Sequence, residues 1–267
     1  MSLLADVTLC NLIVVLIGGV MVQWVQGRVV GKTVWTERLV SLQVDAEIAP
    51  FEAGQFLKLG LEIGAETVGR PYSLINAQDE RPLEFCFSVV PDGPLSGRLA
   101  ALNAGDAVFV APHASGFLTL GEIPDGRHLW LIASGTGIGP FLSILKTTEP
   151  WQRFERIVLV QAARLTSELM YRHTISQFAE AHAGQFAFVP LVSREATDFA
   201  IPGRIPQAIE NGQLEARAGI EFDAADSQVM LCGNPQMLKE TQQLLIERGL
   251  KKNRRRDPGN VSVESYW

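Results

Sequence analysis

Four short segments hold residue types whose spacing could do chemistry. Ala133-Ser134-Gly135-Thr136-Gly137-Ile138-Gly139-Pro140 follows an apolar run and precedes a helical pattern. Glycines at such a junction let the backbone approach a phosphate or a ring, and the start of the next helix favours negative charge. Pro140 suits a first helical turn, but it stands where the strict G-x-G-x-x-G dinucleotide pattern has its third glycine. Leu231-Cys232-Gly233-Asn234-Pro235 repeats the arrangement of apolar run, glycine turn and helix start. In open α/β sheets ligands gather at the carboxyl ends of strands, so two such loops can flank one site. Cys232 reads equally well as a small buried hydrophobe or as a site residue. Arg70-Pro71-Tyr72-Ser73 offers a cation for a phosphate, an aromatic plate and a small hydroxyl. Gly93-Pro94-Leu95-Ser96 precedes a helical segment and can turn backbone N–H groups and a hydroxyl toward a pyrophosphate. Taken singly, each has an ordinary explanation: a tight turn, or an arginine solvated on a strand.

The elements that must position these segments follow two rhythms. From Trp24 to about Leu120 the chain is β-rich, with near-alternating runs at Val25–Gly31, Leu39–Val44, Phe56–Leu61 and Leu83–Val90. Turn residues such as Ala53-Gly54, Gly64, Pro91-Asp92-Gly93 and Gly105-Asp106 separate them, and Leu95–Leu102 is the one helical stretch. Strands at this spacing predict an antiparallel barrel or sandwich. After Gly121 the strands become almost wholly apolar, at His128–Ala133, Arg156–Gln161, Phe186–Val192 and Gln228–Cys232, as expected for strands buried on both faces. Helical patterns at Pro140–Lys146, Ser167–His182, Arg204–Asn211 and Pro235–Arg248 alternate with or follow them. That alternation predicts a doubly wound parallel sheet, with the domain boundary in the stretch Gly121–Gly126.

Composition narrows the function. The 267 residues suffice for two domains, and 47% hydrophobic against 19% charged residues is a globular balance. A net charge of -6 argues against nucleic acid as a main partner. Cys10, Cys86 and Cys232 lie far apart with no C-x-x-C spacing, which excludes a cluster or zinc site held by four cysteines of this chain. It also fits a reducing, cytoplasmic compartment. Leu9–Val22 is almost wholly apolar but shorter than the ~20 residues of a spanning helix. Three readings of residues 1–20 stand: an upstream extension with Met21 as the natural start, a membrane anchor, or a signal sequence lacking a positive n-region.

In this order, R-P-Y-S, G-x-L-S, G-T-G-I-G-P and C-G-N-P across these two domain types resemble the ferredoxin–NADP reductase family, from about Met21 to Trp267. The closing Glu264-Ser265-Tyr266-Trp267 is similar to the bacterial branch, whose last residue is an aromatic beside the flavin. The resemblance implies an antiparallel FAD-binding β-barrel at residues 21–121. It implies an α/β NADP-binding domain at 122–267 whose tail lies on the FAD. It implies that Arg70 pairs with the FAD pyrophosphate, that Tyr72, behind Pro71, lies against the isoalloxazine, and that Ser73 sits near the flavin N5. Cys86-Phe87-Ser88 and Pro94-Leu95-Ser96 would contact the FAD, with Tyr266 and Trp267 covering it. Thr136 would approach both flavin and nicotinamide, Cys232 would meet the nicotinamide, and Glu264 would be the acidic residue near the flavin. Ala163-Arg164, Ser193-Arg194 and Arg204 correspond to the family's 2′-phosphate site, which favours NADPH over NADH because guanidinium binds phosphate bidentately. Asn234, Pro235, Gln236 and Glu240 would complete the nucleotide contacts. The expected activity is hydride transfer from NADPH to FAD and single-electron transfer to an acidic ferredoxin or flavodoxin, by a monomer. The basic run Arg248, Lys251, Lys252, Arg254, Arg255, Arg256 offers either a docking patch for that partner or contacts to the FAD adenosine phosphates. Two rivals are an NADH-dependent reductase component of an oxygenase and a non-catalytic flavin-binding subunit.

Overall fold

Period-2 alternation along the first hundred residues has the consequence expected of it: one face of each strand turns inward, and the sheet curls around that face. The computed structural model describes residues 12–17 and 20–265. Its first sheet comprises β1 (Leu12–Ile17), β2 (Val20–Thr36), β3 (Leu39–Asp45), β4 (Phe56–Ile63), β5 (Glu66–Ser73), β6 (Leu83–Ser88) and β7 (Ala107–Val110), with α1 (Ser96–Ala101) between the last two. The order is β5-β4-β7-β2-β3-β6 with every pairing antiparallel, and β1 pairs with the start of β2. An antiparallel bridge between Leu74 and Phe85 joins the two ends of that order and closes a six-stranded barrel. Register shifts at Val29/Gly31 and Val34/Thr36 let the long β2 bend around it. Leu42, Val44, Leu57, Leu59, Phe85, Phe87 and Val110 fill the interior, each at most 2% exposed.

The Trp24 indole lies across β4 and β5 where Gly60 and Gly69 are cross-strand partners. A Cβ on Gly69 would stand 2.5 Å from the ring, so only a paired pair of glycines makes the slot. Trp24 is 2% exposed and thereby pins the strand that carries Arg70–Ser73.

The second sheet is wholly parallel: β8 (His128–Ser134), β9 (Arg156–Ala163), β10 (Phe186–Val192), β11 (Ile201–Pro202), β12 (Ser227–Gly233) and β13 (Val261–Ser265), in the order β11-β10-β9-β8-β12-β13. Its helices are α2 (Gly139–Leu145), α3 (Glu149–Arg153), α4 (Arg172–Ala181), α5 (Ile205–Glu210), α6 (Gln213–Ala218) and α7 (Pro235–Glu247). Two cores flank the sheet. Phe141, Leu142 and Ile144 of α2 and Ile175 of α4 pack on one face together with the barrel residues Leu39, Ile75 and Cys86. Residues of α5, α6 and α7 pack on the other. Strand order reverses between β8 and β12, which makes their carboxyl ends the switch point of the sheet. Among the described residues no helix is long and apolar enough to cross a membrane.

One predicted helix is broken. Ser167–His182 reads as continuous, but the chain forms a 3-10 turn at Thr166–Glu168 and starts α4 only at Arg172. Tyr171 between them has φ 60°, left-handed backbone that an aromatic residue rarely adopts. Its side chain leaves the helix for the barrel. Fixed contacts also join the halves elsewhere: the wholly buried Ser143 of α2 accepts from Gly54 N at 3.2 Å and donates to the Asn76 carbonyl, and Lys146 pairs with Glu80 at 2.8 Å.

Gly69→Ala forces a methyl group into the indole slot, an overpacking that costs about 1–3 kcal/mol. Urea unfolding should show a lower midpoint with unchanged slope; an unaltered midpoint would show that the slot tolerates the methyl group.

Candidate active site

The carboxyl ends of β8 and β12 come into backbone contact. A Cβ on Gly137 would overlap the Cys232 carbonyl, and one on Gly233, at φ 133°, would overlap Ser134. Ser134 Oγ accepts from Asn234 N at 2.9 Å, tying the two loops together. Residues Gly135–Ile138 wind as a 3-10 turn before α2, so the glycine segment hugs the switch point. Asn234 caps α7 by accepting from Gln236 N at 3.0 Å and Met237 N at 3.3 Å, and Pro235 takes the first helical turn.

Two clefts of about 460 Å³ each open from this junction. One lies against the barrel and is lined by Arg70, Pro71, Tyr72, Ser73, Cys86, Phe87, Ser88, Pro94, Leu95, Ser96 and Thr136. Every residue expected at the flavin from the described part of the chain, Glu264 excepted, is therefore in one place. The Tyr72 ring meets Phe87 at 5.3 Å, tilted by 59°. Burial pushes the Tyr72 phenol up to about 12 and the Cys86 thiol up to about 12, so both stay protonated at neutral pH. Ser96 Oγ accepts from Val90 N at 2.9 Å, which fixes the turn ahead of α1, and Arg70 at the cleft edge gives one N–H to the Gly69 carbonyl at 2.8 Å.

The other cleft runs over the carboxyl ends of the parallel strands. Ala163, Arg164, Ser193, Arg194, Arg204, Asn234, Gln236 and Glu240 line it, all expected at the nucleotide. Arg164, Arg194 and Arg204 are exposed and, among the described residues, none is ion-paired with a carboxylate. Arg164 N and Leu165 N instead donate to Glu168 Oε2, at 2.8 and 3.3 Å, closing the loop that presents the Arg164 side chain. Together with Arg38, these side chains make four arginines against Glu168 and Glu240 in one concavity, a local excess of positive charge in an acidic chain. Ser88 and Thr136 line both clefts, so the two open into each other there.

Three expected residues stand outside the cleft walls, the first of them Pro235, in the opening turn of α7. Cys232 is wholly buried beneath Gly137, packed in the core. Glu264 lies beside Cys232 in the β12–β13 register, with Gly116 against it. Burial lifts its carboxyl from 4.5 to about 7, while a hydrogen bond from the Phe117 backbone works against that rise. Among the described residues Glu264 Oε2 is buried with no hydrogen-bond partner. Tyr266 and Trp267 lie outside the described residues. The nucleotide cleft also has a barrel wall that sequence reasoning missed, Arg38, Leu39 and Val89. Arg38 sits in the β2–β3 turn, where a lone exposed arginine carries no signal in sequence. The basic run is partly spent within the chain: Arg248 pairs with Glu215 at 2.6 Å, Lys251 with Asp257, and Arg255 with Glu122.

Residues 131–243 match the oxidoreductase NAD-binding domain family. The chain is 48% identical over 248 residues to a flavodoxin/ferredoxin–NADP reductase of Shigella flexneri, covering 92% of this chain and 100% of the relative. It is 34% identical to a ferredoxin–NADP reductase of Pseudomonas aeruginosa, covering 89% and 95%. A ferredoxin NADP+ reductase from Neisseria gonorrhoeae, solved with bound FAD and NADP, superposes with a TM-score of 0.86 at 31% identity, covering 91% of this chain and 99% of that one. Identity at that level over nearly the full length, together with a barrel cleft and a strand-end cleft that meet, places this chain in the flavodoxin/ferredoxin–NADP reductase family.

Proposed function

We propose that the protein oxidises NADPH and passes the electrons singly to a ferredoxin or flavodoxin, with FAD in the barrel cleft and NADPH in the strand-end cleft. The observation that carries this reading is the opening of the two clefts into each other at Ser88 and Thr136. Bound FAD supplies the conversion of a two-electron hydride into single electrons. Both clefts fit their ligands on their own chemistry. The barrel cleft sets an exposed guanidinium beside aromatic and small hydroxyl side chains, which suits a pyrophosphate joined to a flat ring. The strand-end cleft sets three unpaired arginines beyond a capped helix start, which suits a nucleotide with an extra phosphate.

In this reading Arg70 holds the FAD pyrophosphate, Tyr72 stacks on the isoalloxazine with Pro71 setting its backbone, and Ser73 donates or accepts at the flavin N5. Cys86, Phe87, Ser88, Pro94, Leu95 and Ser96 enclose the flavin, and Tyr266 with Trp267 covers its other side. Arg164, Ser193, Arg194 and Arg204, beside Ala163, receive the 2′-phosphate. Asn234, Pro235, Gln236 and Glu240 hold the rest of the nucleotide. Thr136 orients the nicotinamide toward the barrel cleft, and Cys232 bounds that end from beneath Gly137. Glu264 stores a proton on its unpartnered Oε2 near neutral pH. Lys252, Arg254 and Arg256, the members of the basic run outside the ion pairs, steer the acidic partner. We place the domain division after Gly121. We infer a monomer, because one chain contributes both clefts, acting in the cytoplasm, where buried thiols such as Cys86 and Cys232 stay reduced.

The visible spectrum tests the whole reading: the purified protein should show flavin bands that bleach on adding NADPH, and a colourless protein that takes up no FAD would overturn it. For the nucleotide, replacing Arg164 and Arg194 together by Ala should raise KM for NADPH by roughly tenfold or more and leave that for NADH nearly unchanged. An equal effect on both dinucleotides would remove the 2′-phosphate assignment. For Glu264, a carboxyl raised in the native state binds its proton more tightly folded than unfolded. Its contribution to stability is full below pH 4.5 and is lost as pH rises to about 7. Glu264→Gln should therefore remove a loss on the order of 2 kcal/mol across that window, seen as urea midpoints that no longer fall. Parallel pH curves for parent and variant would refute it.

A further inference from the structure

A buried polar chain that the proposed reaction leaves unused lies between the barrel and the parallel-sheet domain. Trp35 of β2 donates its Nε1–H to Ser41 Oγ at 2.8 Å. Ser41 Oγ lies 2.6 Å from Tyr171 Oη, and Tyr171 donates to Glu84 Oε1 at 2.7 Å. Tyr171 has one proton and gives it to Glu84, so Ser41 must give its own proton to Tyr171. The result is a one-directional chain, Trp35 to Ser41 to Tyr171 to Glu84, in which three residues belong to the barrel and one to the other domain. The Tyr171 ring also lies 4.7 Å from that of Trp35. Ser41 is 1% and Tyr171 8% exposed, so water does not compete for these bonds.

The position of each end gives the chain its meaning. Glu84 and Cys86 are on β6, the strand that continues into Phe87 and Ser88 of the barrel cleft. Tyr171 ends the loop that begins with Arg164 and Glu168 of the strand-end cleft. Met170, next to Tyr171, receives the Cys86 Sγ–H at 3.3 Å and is fully buried, a second contact between the same two segments. Tyr171 keeps left-handed backbone to make this reach, a conformation that a helix continuing from Thr166 would not require. Burial, with Cys86 and Glu84 close by, pushes the Tyr171 phenol far above its ordinary range, so it remains a donor.

We propose that Tyr171 is a positioning residue for hydride transfer: its hydroxyl, held between Ser41 and Glu84, locks the loop that carries Arg164 to the strand that carries Ser88. That sets the distance between the nicotinamide and flavin ends of the two clefts. The inference rests on the assignment of the clefts to NADPH and FAD. Reactions between prealigned groups are sensitive to shifts near 1 Å, so a lock of this kind acts on the rate of transfer rather than on affinity.

Tyr171→Phe keeps the ring and removes the hydroxyl. In stopped-flow reduction at saturating NADPH the transfer rate should fall by about tenfold, while the NADPH dissociation constant stays within about twofold. The long-wavelength charge-transfer absorbance of the nicotinamide–flavin pair should weaken in parallel. Without any nucleotide, amide hydrogen exchange should quicken together in residues 84–88 and 165–171. Glu84→Gln, which still presents an oxygen to Tyr171, should stay near the parent rate, and Glu84→Leu should behave like Tyr171→Phe. An unchanged rate and absorbance in Tyr171→Phe overturns the proposal. So does a fall in rate accompanied by a matching loss of NADPH affinity or by release of FAD, because that marks a merely structural role. If the parent protein itself fails to bleach with NADPH, the cleft assignment fails instead, and the exchange measurement still reports whether the lock exists.

Discussion

Everything at the site depends on backbone passing backbone at the end of β8 and β12. Gly137 rests on the Cys232 carbonyl and Gly233 on Ser134, and neither position has room for a methyl group. This contact holds the glycine segment down, and Thr136 is thereby left facing both clefts, as Ser88 does from the barrel. Were either loop lifted by a side chain, the nucleotide cleft would lose its floor and its opening to the barrel together.

The two clefts recognise by opposite physics. The barrel cleft is built from buried side chains whose pKa values rise with burial, such as Tyr72 and Cys86, and it offers shape and apolar contact. The strand-end cleft offers four exposed arginines that, among the described residues, have no carboxylate partners, so its field is open to solvent and screened by salt. A resident group that must not leave suits the first; a substrate that must enter and depart on each turnover suits the second. A net charge of -6 makes the contrast sharper, since a local positive cavity stands out in an acidic chain.

The sequence was most legible where a local backbone demand and a chemical demand coincide. Arg70–Ser73, Gly93–Ser96, Ala133–Pro140 and Leu231–Pro235 each combine a turn with a donor or a ring, and each supplies residues to the lining of one of the two clefts. The order of strand types likewise announced a barrel and then a parallel sheet. What stayed hidden was set by distant partners. The helix expected at Ser167–His182 is interrupted because Tyr171 finds Ser41 and Glu84, residues roughly 90 to 130 positions away that no local window contains. Arg38 joins the nucleotide cleft because the β2–β3 turn is carried there by the packing of the barrel, and nothing beside it in sequence says so. The basic run misleads in the converse way. Six charges close together read as one patch, yet Glu215 and Glu122 arrive from elsewhere, Asp257 directly follows the run, and the three neutralise half of it.

Partial neutralisation of that run has a physical consequence for how a partner is met. An Arg255 guanidinium bonded to Glu122 and seated 4.0 Å above the exposed Phe117 ring is held in one place instead of sweeping through solvent. A fixed cation loses little conformational freedom when a second protein approaches, whereas the unpaired Lys252, Arg254 and Arg256 carry the long-range field and lose more. In the proposed reading, attraction and seating thus fall to different members of one sequence run. Phe117 also donates its backbone N–H toward Glu264, so the apolar ring at the surface and the buried carboxyl behind it share one short segment of chain. A partner pressing on Phe117 would therefore bear on a carboxyl that burial lifts to about 7.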